Sequence, residues 1–121
     1  MCLNFYNEGY FMNIKQRFEK GCAILSLHGN ALSDPDVSGL KSIVGSHLNA
    51  GIRHIVLDLR QVKHINSTGI GGLLHIRKAL EKVKGTVTLT EMNKNVQDIL
   101  KRTALEKIFR TSPSVSQALQ N

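Results

Sequence analysis

The feature that most constrains the fold is a short apolar run at residues 55–59, Ile-Val-Leu-Asp-Leu, near the middle of the chain. Its length suits a β-strand, and both alternating sets of its positions carry apolar side chains. Alternate side chains of a strand point to opposite faces of the sheet, so this pattern predicts burial on both faces. Such burial is typical of a central parallel strand that has helices packed on the sheet.

Three further segments have strand character. Residues 22–28 form an apolar run that Gly29 and Asn30 interrupt, and residues 86–90 alternate threonine with apolar side chains. Residues 14–18 are a weaker strand candidate. Turn residues 19–21 lie between this candidate and the strand at residues 22–28, and they predict a β-hairpin.

Helices are expected after three of the strands. Asp34-Pro35 is a helix-start signal, because Asp accepts bonds from free backbone N–H groups and Pro fits the first turn. A second helix is expected to begin around Gly69 and to end at Gly85 as its C-cap. The predicted stripe of this second helix consists of Ile70, Leu73, Leu74, Arg77, Leu80 and Lys84.

Two more helices are predicted in the last third of the chain. Asn93 or Asn95 is expected to start one of them, and Ser112-Pro113 repeats the pairing of a capping residue with proline. The resulting order, β-β-α-β-α-β-α-α, predicts an α/β fold with a four- to five-stranded mixed sheet and about four helices.

The length of 121 residues suits one domain. Met12 reads as a second beginning, so we assign the domain to residues 12–121. Residues 1–11 lack clear periodicity and are interpreted as an N-terminal extension, an alternative start or an unrecognised strand.

Basic residues are concentrated in the second half of the chain. Residues 1–52 carry four basic and four acidic side chains, whereas residues 53–121 carry twelve and five and account for the net charge of +7. Such an asymmetry is compatible with an acidic partner or nucleic acid, but an ordinary solvated surface is the preferred interpretation. Only 5% of the residues are aromatic and none forms a stacking cluster, so direct nucleic-acid binding is not expected.

Several classes of site and location are not supported by the sequence. No apolar run approaches the roughly 20 residues of a transmembrane helix, and the first residues lack a secretory signal, so a cytoplasmic protein is expected. The five histidines and two cysteines form no zinc motif, and no segment has the glycine spacing of a nucleotide loop. We expect no metal, no cofactor and no enzymatic activity.

The most specific local feature is the segment Asn66-Ser67-Thr68-Gly69-Ile70-Gly71, which is followed by another glycine. It places two hydroxyl groups where a loop meets a helix, beside small residues that leave the junction open to a second protein. Phosphorylation there would add about −1.5 to −2 charges at one point of the surface. Spacing alone also allows a plainer interpretation, in which Ser67 or Thr68 caps the helix.

In order and spacing, these segments resemble the STAS domain family, the fold of bacterial anti-sigma factor antagonists. The resemblance covers residues 14–119 approximately and rests on residues 56–59 followed by 65–71, with support from residues 27–32 and 108–112. Asn66 stands where the family usually has Asp, and Thr68 stands where it has a second Ser.

The resemblance implies that Ser67, with Thr68 as the alternative, is a regulatory phosphorylation site. It implies that the unphosphorylated protein binds an anti-sigma factor that is itself a serine kinase, and that a serine phosphatase restores binding. The partner surface expected from it is the segment that consists of Asn66, Ser67, Thr68, Gly69, Ile70 and Gly71.

Two other functions remain open at the level of sequence. The domain could be a STAS accessory subunit of a membrane transporter, such as a lipid-transport ABC system, with its basic half near an acidic partner or anionic lipid. Small-ligand or nucleotide sensing is a third hypothesis. The sequence does not fix the partner, the regulated pathway or the oligomeric state.

Overall fold

Strands and helices alternate along the computed structural model, which describes residues 13–29, 31–32 and 34–120. The strands are β1 (Asn13–Glu19), β2 (Cys22–His28), β3 (Ala31–Leu32), β4 (His54–Gln61), β5 (His64–Ile65), β6 (Thr86–Thr90) and β7 (Arg110–Ser112). The helices are α1 (Asp34–Asn49), α2 (Ser67–Lys82), α3 (Lys94–Arg102) and α4 (Val115–Gln120), and a 3-10 turn (Leu105–Lys107) precedes β7. The predicted extension at residues 1–11 lies outside the described residues.

Five of the strands form one mixed sheet in the order β1-β2-β4-β6-β7. Strands β1 and β2 are antiparallel and form the predicted hairpin, in which Glu19 lies opposite Cys22, while the remaining pairs are parallel. The two-residue strands β3 and β5 pair with each other in a separate parallel ladder. The predicted α/β fold with a mixed sheet and four helices is confirmed.

Strand β4 is buried on both faces, as its sequence predicted. Ile55, Leu57 and Leu59 belong to the main core, which α1, α2 and α3 cover. Val56 points to the opposite face, where it packs with Ile24 of β2 and Val115 of α4. Within the described residues, three helices cover one face of the sheet and the short α4 lies on the other.

The boundaries of α2 differ from the prediction. The helix begins at Ser67, two residues earlier than expected, because Asn66 supplies its N-cap. At the other end Lys84, with φ of 58°, takes the left-handed conformation that we assigned to Gly85. Gly85 is instead required by close packing, because a Cβ at this position would collide with the carbonyl oxygen of Arg53.

The predicted apolar stripe of α2 was partly wrong. The buried positions of the helix are Gly69, Gly72, Leu73, Ile76 and Leu80. Arg77 lies at the edge, where its Nε donates to the carbonyl oxygen of Ile108 at 3.2 Å, and Lys84 is exposed beyond the helix. Two of the buried positions are glycines, which a search for apolar side chains does not detect.

The C-terminal region also required correction. Ser112 is the last residue of strand β7, which the sequence did not indicate, and it does not cap a helix. The cap of α4 is Ser114, whose Oγ accepts a bond from the N–H of Gln117 at 3.1 Å. Of the two asparagines proposed to start α3, Asn93 is the N-cap, and its Oδ1 accepts from the N–H of Val96 at 2.9 Å.

Candidate functional site

The junction between β5 and α2 is fixed by Asn66. Its backbone is extended, with φ of −90° and ψ of −179°, and its side-chain Oδ1 accepts a bond from the N–H of Gly69 at 2.8 Å. Its carbonyl oxygen accepts from the N–H of Ile70 at 3.0 Å, which is the first bond of the helical ladder. Asn66 therefore satisfies one of the free donors at this helix end and defines where α2 starts.

Ser67 and Thr68 are the first two residues of α2, and both side chains are exposed. Within residues 13–29, 31–32 and 34–120, neither hydroxyl makes a hydrogen bond. The interpretation in which Ser67 or Thr68 caps the helix is wrong, because Asn66 has that role. Both hydroxyls are left accessible from solvent.

The glycines after the junction have two different roles. Gly71 is exposed, and a Cβ added there would meet no atom within 4 Å, so the space around this position is open. Gly72 is buried against Val37 of α1, and a Cβ added there would collide with the valine side chain. Gly71 thus leaves room for an approaching surface, whereas Gly72 allows α1 and α2 to pack closely.

The charge around the junction is positive. Lys63 is exposed just before it, and the first turn of α2 contains no acidic side chain. Arg60, near the end of β4, forms an ion pair with Glu91 at 3.1 Å. The charge of Arg60 is therefore partly compensated. Lys63 is the lysine nearest in sequence to Ser67.

The loop that leads to the junction is attached to the main domain. Asn93 donates from Nδ2 to the carbonyl oxygen of Val62 at 2.9 Å while its Oδ1 caps α3. The side chains of Val62 and Ile65 are buried in the main core. The backbone before Ser67 is thus anchored on both sides of the exposed Lys63. A capping signal at Asn93 was visible in the sequence, but its bond to the loop was not.

Other kinds of site have little support in the described part of the chain. Its His, Cys, Asp and Glu side chains include no group of three placed to hold a metal ion. The thiol of Cys22 is partly buried, and this burial raises its pKa, which reduces the thiolate fraction. No helix within the described ranges is long and apolar enough to cross a bilayer.

Comparison with known proteins identifies the same domain over most of the chain. The family model described as STAS domain matches residues 4–118. A protein of Thermotoga neapolitana named as a candidate anti-sigma factor antagonist is 31% identical over 80 residues, which are 66% of this chain and 71% of the relative.

A second relative, the candidate anti-sigma factor antagonist BtrV of Bordetella bronchiseptica, is 27% identical over 94 residues, 78% of this chain and 80% of that protein. The crystal structure of a candidate anti-sigma factor antagonist from Thermotoga maritima superposes with a TM-score of 0.79 at 26% identity. It covers 88% of this chain and 92% of that one.

Proposed function

The chain belongs to the STAS domain family, and from this membership we propose that it is an anti-sigma factor antagonist that phosphorylation of Ser67 switches off. The unphosphorylated protein binds an anti-sigma factor that is also a serine kinase, and a serine phosphatase reverses the modification. The protein is a substrate and a binding switch in the cytoplasm, and it has no catalytic residues of its own. The observation that carries this proposal is the exposed hydroxyl of Ser67 at the start of α2, which makes no hydrogen bond with any residue that the structure describes.

The division of roles at the junction supports this proposal. Phosphorylation of a serine that capped α2 would alter the oxygen that accepts the bond from the helix N–H. Asn66 already provides the cap through its 2.8 Å bond from Gly69. Ser67 can therefore accept a phosphate while the helix start stays intact.

The position of Ser67 also favours a phosphate over an uncharged group. The first N–H groups of a helix lack intrahelical acceptors, and the helix dipole is positive at this end. An anion at such a position gains about 0.3–1 kcal/mol when it is exposed. The exposed Lys63 adds a positive charge before the junction. We therefore expect the phosphorylated domain to keep its fold.

Phosphorylation of Ser67 is expected to weaken binding because the phosphate would lie inside the interface with the partner. The expected partner surface consists of Asn66, Ser67, Thr68, Gly69, Ile70 and Gly71. The open space at Gly71 allows close approach of another protein. A phosphate enclosed in that contact would lose its hydration. If no cation of the partner replaces the water, burial of the charge costs about 2–5 kcal/mol of binding free energy. The corresponding loss of affinity is about 30-fold or more.

Thr68 is the alternative phosphoacceptor, because its hydroxyl is also exposed and unbonded among the described residues. Ser67 is preferred because it matches the position that the family modifies. Mass spectrometry of tryptic peptides, after incubation with lysate and ATP, would locate the phosphate. Ser67→Ala and Thr68→Ala proteins would show which hydroxyl is required.

The main experiment compares proteins captured from source-cell lysate by the wild type and by the Ser67→Glu variant. We expect a kinase-type anti-sigma factor to be retained by the wild type and lost with Ser67→Glu. A Ser116→Glu variant is the matched control, since Ser116 is exposed on α4, which packs on the opposite face of the sheet. It should retain the partner.

A different captured protein would contradict the proposal. If both the wild type and Ser67→Glu retain a transporter ATPase, the domain is an accessory subunit and Ser67 has no switching role. Equal retention of an anti-sigma factor by both proteins would keep the partner and refute control by phosphorylation.

A further inference from the structure

A crevice lies outside the carboxyl ends of β6 and β7, where the chain leaves the sheet in two directions. The segment after β6 leads to α3, whose Val96 and Leu100 are buried in the main core. The segment after β7 leads to α4, whose Val115 packs on the opposite face. In open α/β sheets, such a divergence at the carboxyl ends of adjacent strands is the usual place for a ligand.

The crevice has a defined volume and a mixed lining. It encloses about 310 Å³, at the lower end of the range for small-ligand pockets. Met92, Leu100 and Pro113 supply apolar surface. Lys101, Glu106 and Ser112 supply one cation, one carboxylate and one hydroxyl.

Ser112 offers a hydroxyl group to the crevice. The residue is only 7% exposed, and no hydrogen bond of its side chain occurs within the described part of the protein. The hydroxyl oxygen itself is not sealed from solvent, so a molecule in the crevice can reach it. The hydroxyl is available to a molecule in the crevice because Ser114, and not Ser112, caps α4.

The two charged side chains are also unpaired. The ion pairs among the described residues join Arg17 to Glu19, Arg60 to Glu91 and Arg77 to Glu81. Lys101 and Glu106 therefore line the same crevice without forming an ion pair with each other. A ligand that carries both charges would satisfy both side chains.

We infer that this crevice binds a small zwitterion with an ammonium group, a carboxylate and a short aliphatic chain, as in a free amino acid. The ligand carboxylate pairs with Lys101 and accepts a hydrogen bond from Ser112. The ligand ammonium pairs with Glu106, and the aliphatic part contacts Leu100 and Met92.

The lining disfavours two other ligand classes. A phosphate-rich ligand would meet the carboxylate of Glu106 with only Lys101 to compensate for it. A nucleotide base would lack a stacking surface, because none of the residues that line the crevice is aromatic. A balanced ligand of small size is the better fit.

The inference can be tested by calorimetric titration of the full chain with L-leucine. Isocaproate, which lacks the ammonium group, and isoamylamine, which lacks the carboxylate, are the matched probes. We expect saturable binding of L-leucine and at least about tenfold weaker binding of either analogue, since each loses one charge-assisted contact. Absence of saturable L-leucine binding would overturn the inference.

Variants connect the binding to the crevice. Lys101→Ala and Glu106→Ala alter exposed side chains, so the fold should be retained, and each should weaken L-leucine binding about fivefold or more. Lys94→Ala removes an exposed lysine of the same helix that does not line the crevice, and it should leave binding unchanged. Equal binding by all three variants would refute this location. The result is independent of the switch at Ser67.

Discussion

Replacement of Gly72 by alanine tests the close contact between α1 and α2, which holds α2 in place on the domain. The new Cβ would collide with Cγ1 of Val37, and it would lie 3.0 Å from Cγ2 and 3.2 Å from Cβ of the same residue. Rotation of the valine side chain cannot relieve the last contact, because the Cβ does not move with it. Val37 is also buried, so neighbouring atoms limit any shift.

Gly71→Ala is a matched control in the preceding position of the same helix. It gains the intrinsic helix preference of alanine, about 1 kcal/mol, and it meets no atom within 4 Å. Gly72→Ala gains the same preference but also overpacks the interface, which typically costs about 1–3 kcal/mol. We therefore expect Gly72→Ala to be less stable than Gly71→Ala by about 1–3 kcal/mol.

Urea denaturation, followed by circular dichroism, measures this difference as a shift in midpoint at constant slope. The double variant Val37→Ala with Gly72→Ala should recover part of the loss, with a coupling energy of at least about 0.5 kcal/mol. Equal stability of the two glycine variants, or a coupling energy of zero, would refute the packing argument.

Three more predictions concern stability. Asn66→Ala should cost about 1 kcal/mol in urea denaturation, whereas Ser67→Ala should change stability by less than about 0.5 kcal/mol, because Asn66 supplies the cap. His47 is buried and its Nε2 lies 2.7 Å from Oε1 of Gln16. Burial lowers its pKa, so the unfolded chain takes up the proton first, and stability should fall as pH decreases below about 6.5. Lys84→Gly should stabilise the protein by about 1 kcal/mol by relieving the left-handed conformation, as thermal denaturation would show.

Each of these predictions has a control. A loss for Ser67→Ala equal to that for Asn66→Ala would contradict the assignment of the cap. His47→Gln should reduce the slope of stability against pH, and His75→Gln, at an exposed position of α2, should not. Lys82→Gly, inside the helix, should destabilise the protein, in contrast to Lys84→Gly.

Segments with strong local patterns were predicted well. Strands at residues 22–28 and 86–90 have the predicted bounds, because apolar or β-branched runs between turn residues specify strands locally. Strands β3, β5 and β7 have two or three residues each, which is too short for a visible period. They exist because a neighbouring strand, distant in sequence, provides their hydrogen-bond partners.

At the candidate site, the sequence located the segment but misassigned its capping residue. Asn66, Ser67 and Thr68 are all good capping residues, and local propensity does not choose among them. The choice depends on where the backbone turns from extended to helical. That point is set by the pairing of β5 with β3 and by the burial of Ile65.

The sequence by itself determined the order of strands and helices, the burial of β4 on both faces and the position of the segment that begins at Asn66. These properties follow from local periodicity and backbone preference. Only the tertiary structure decided that Asn66 caps α2, that Gly72 packs on Val37 and that Ser112 faces a crevice. Each of these depends on atoms that are far apart in the chain and meet only when the sheet and its helices have packed together.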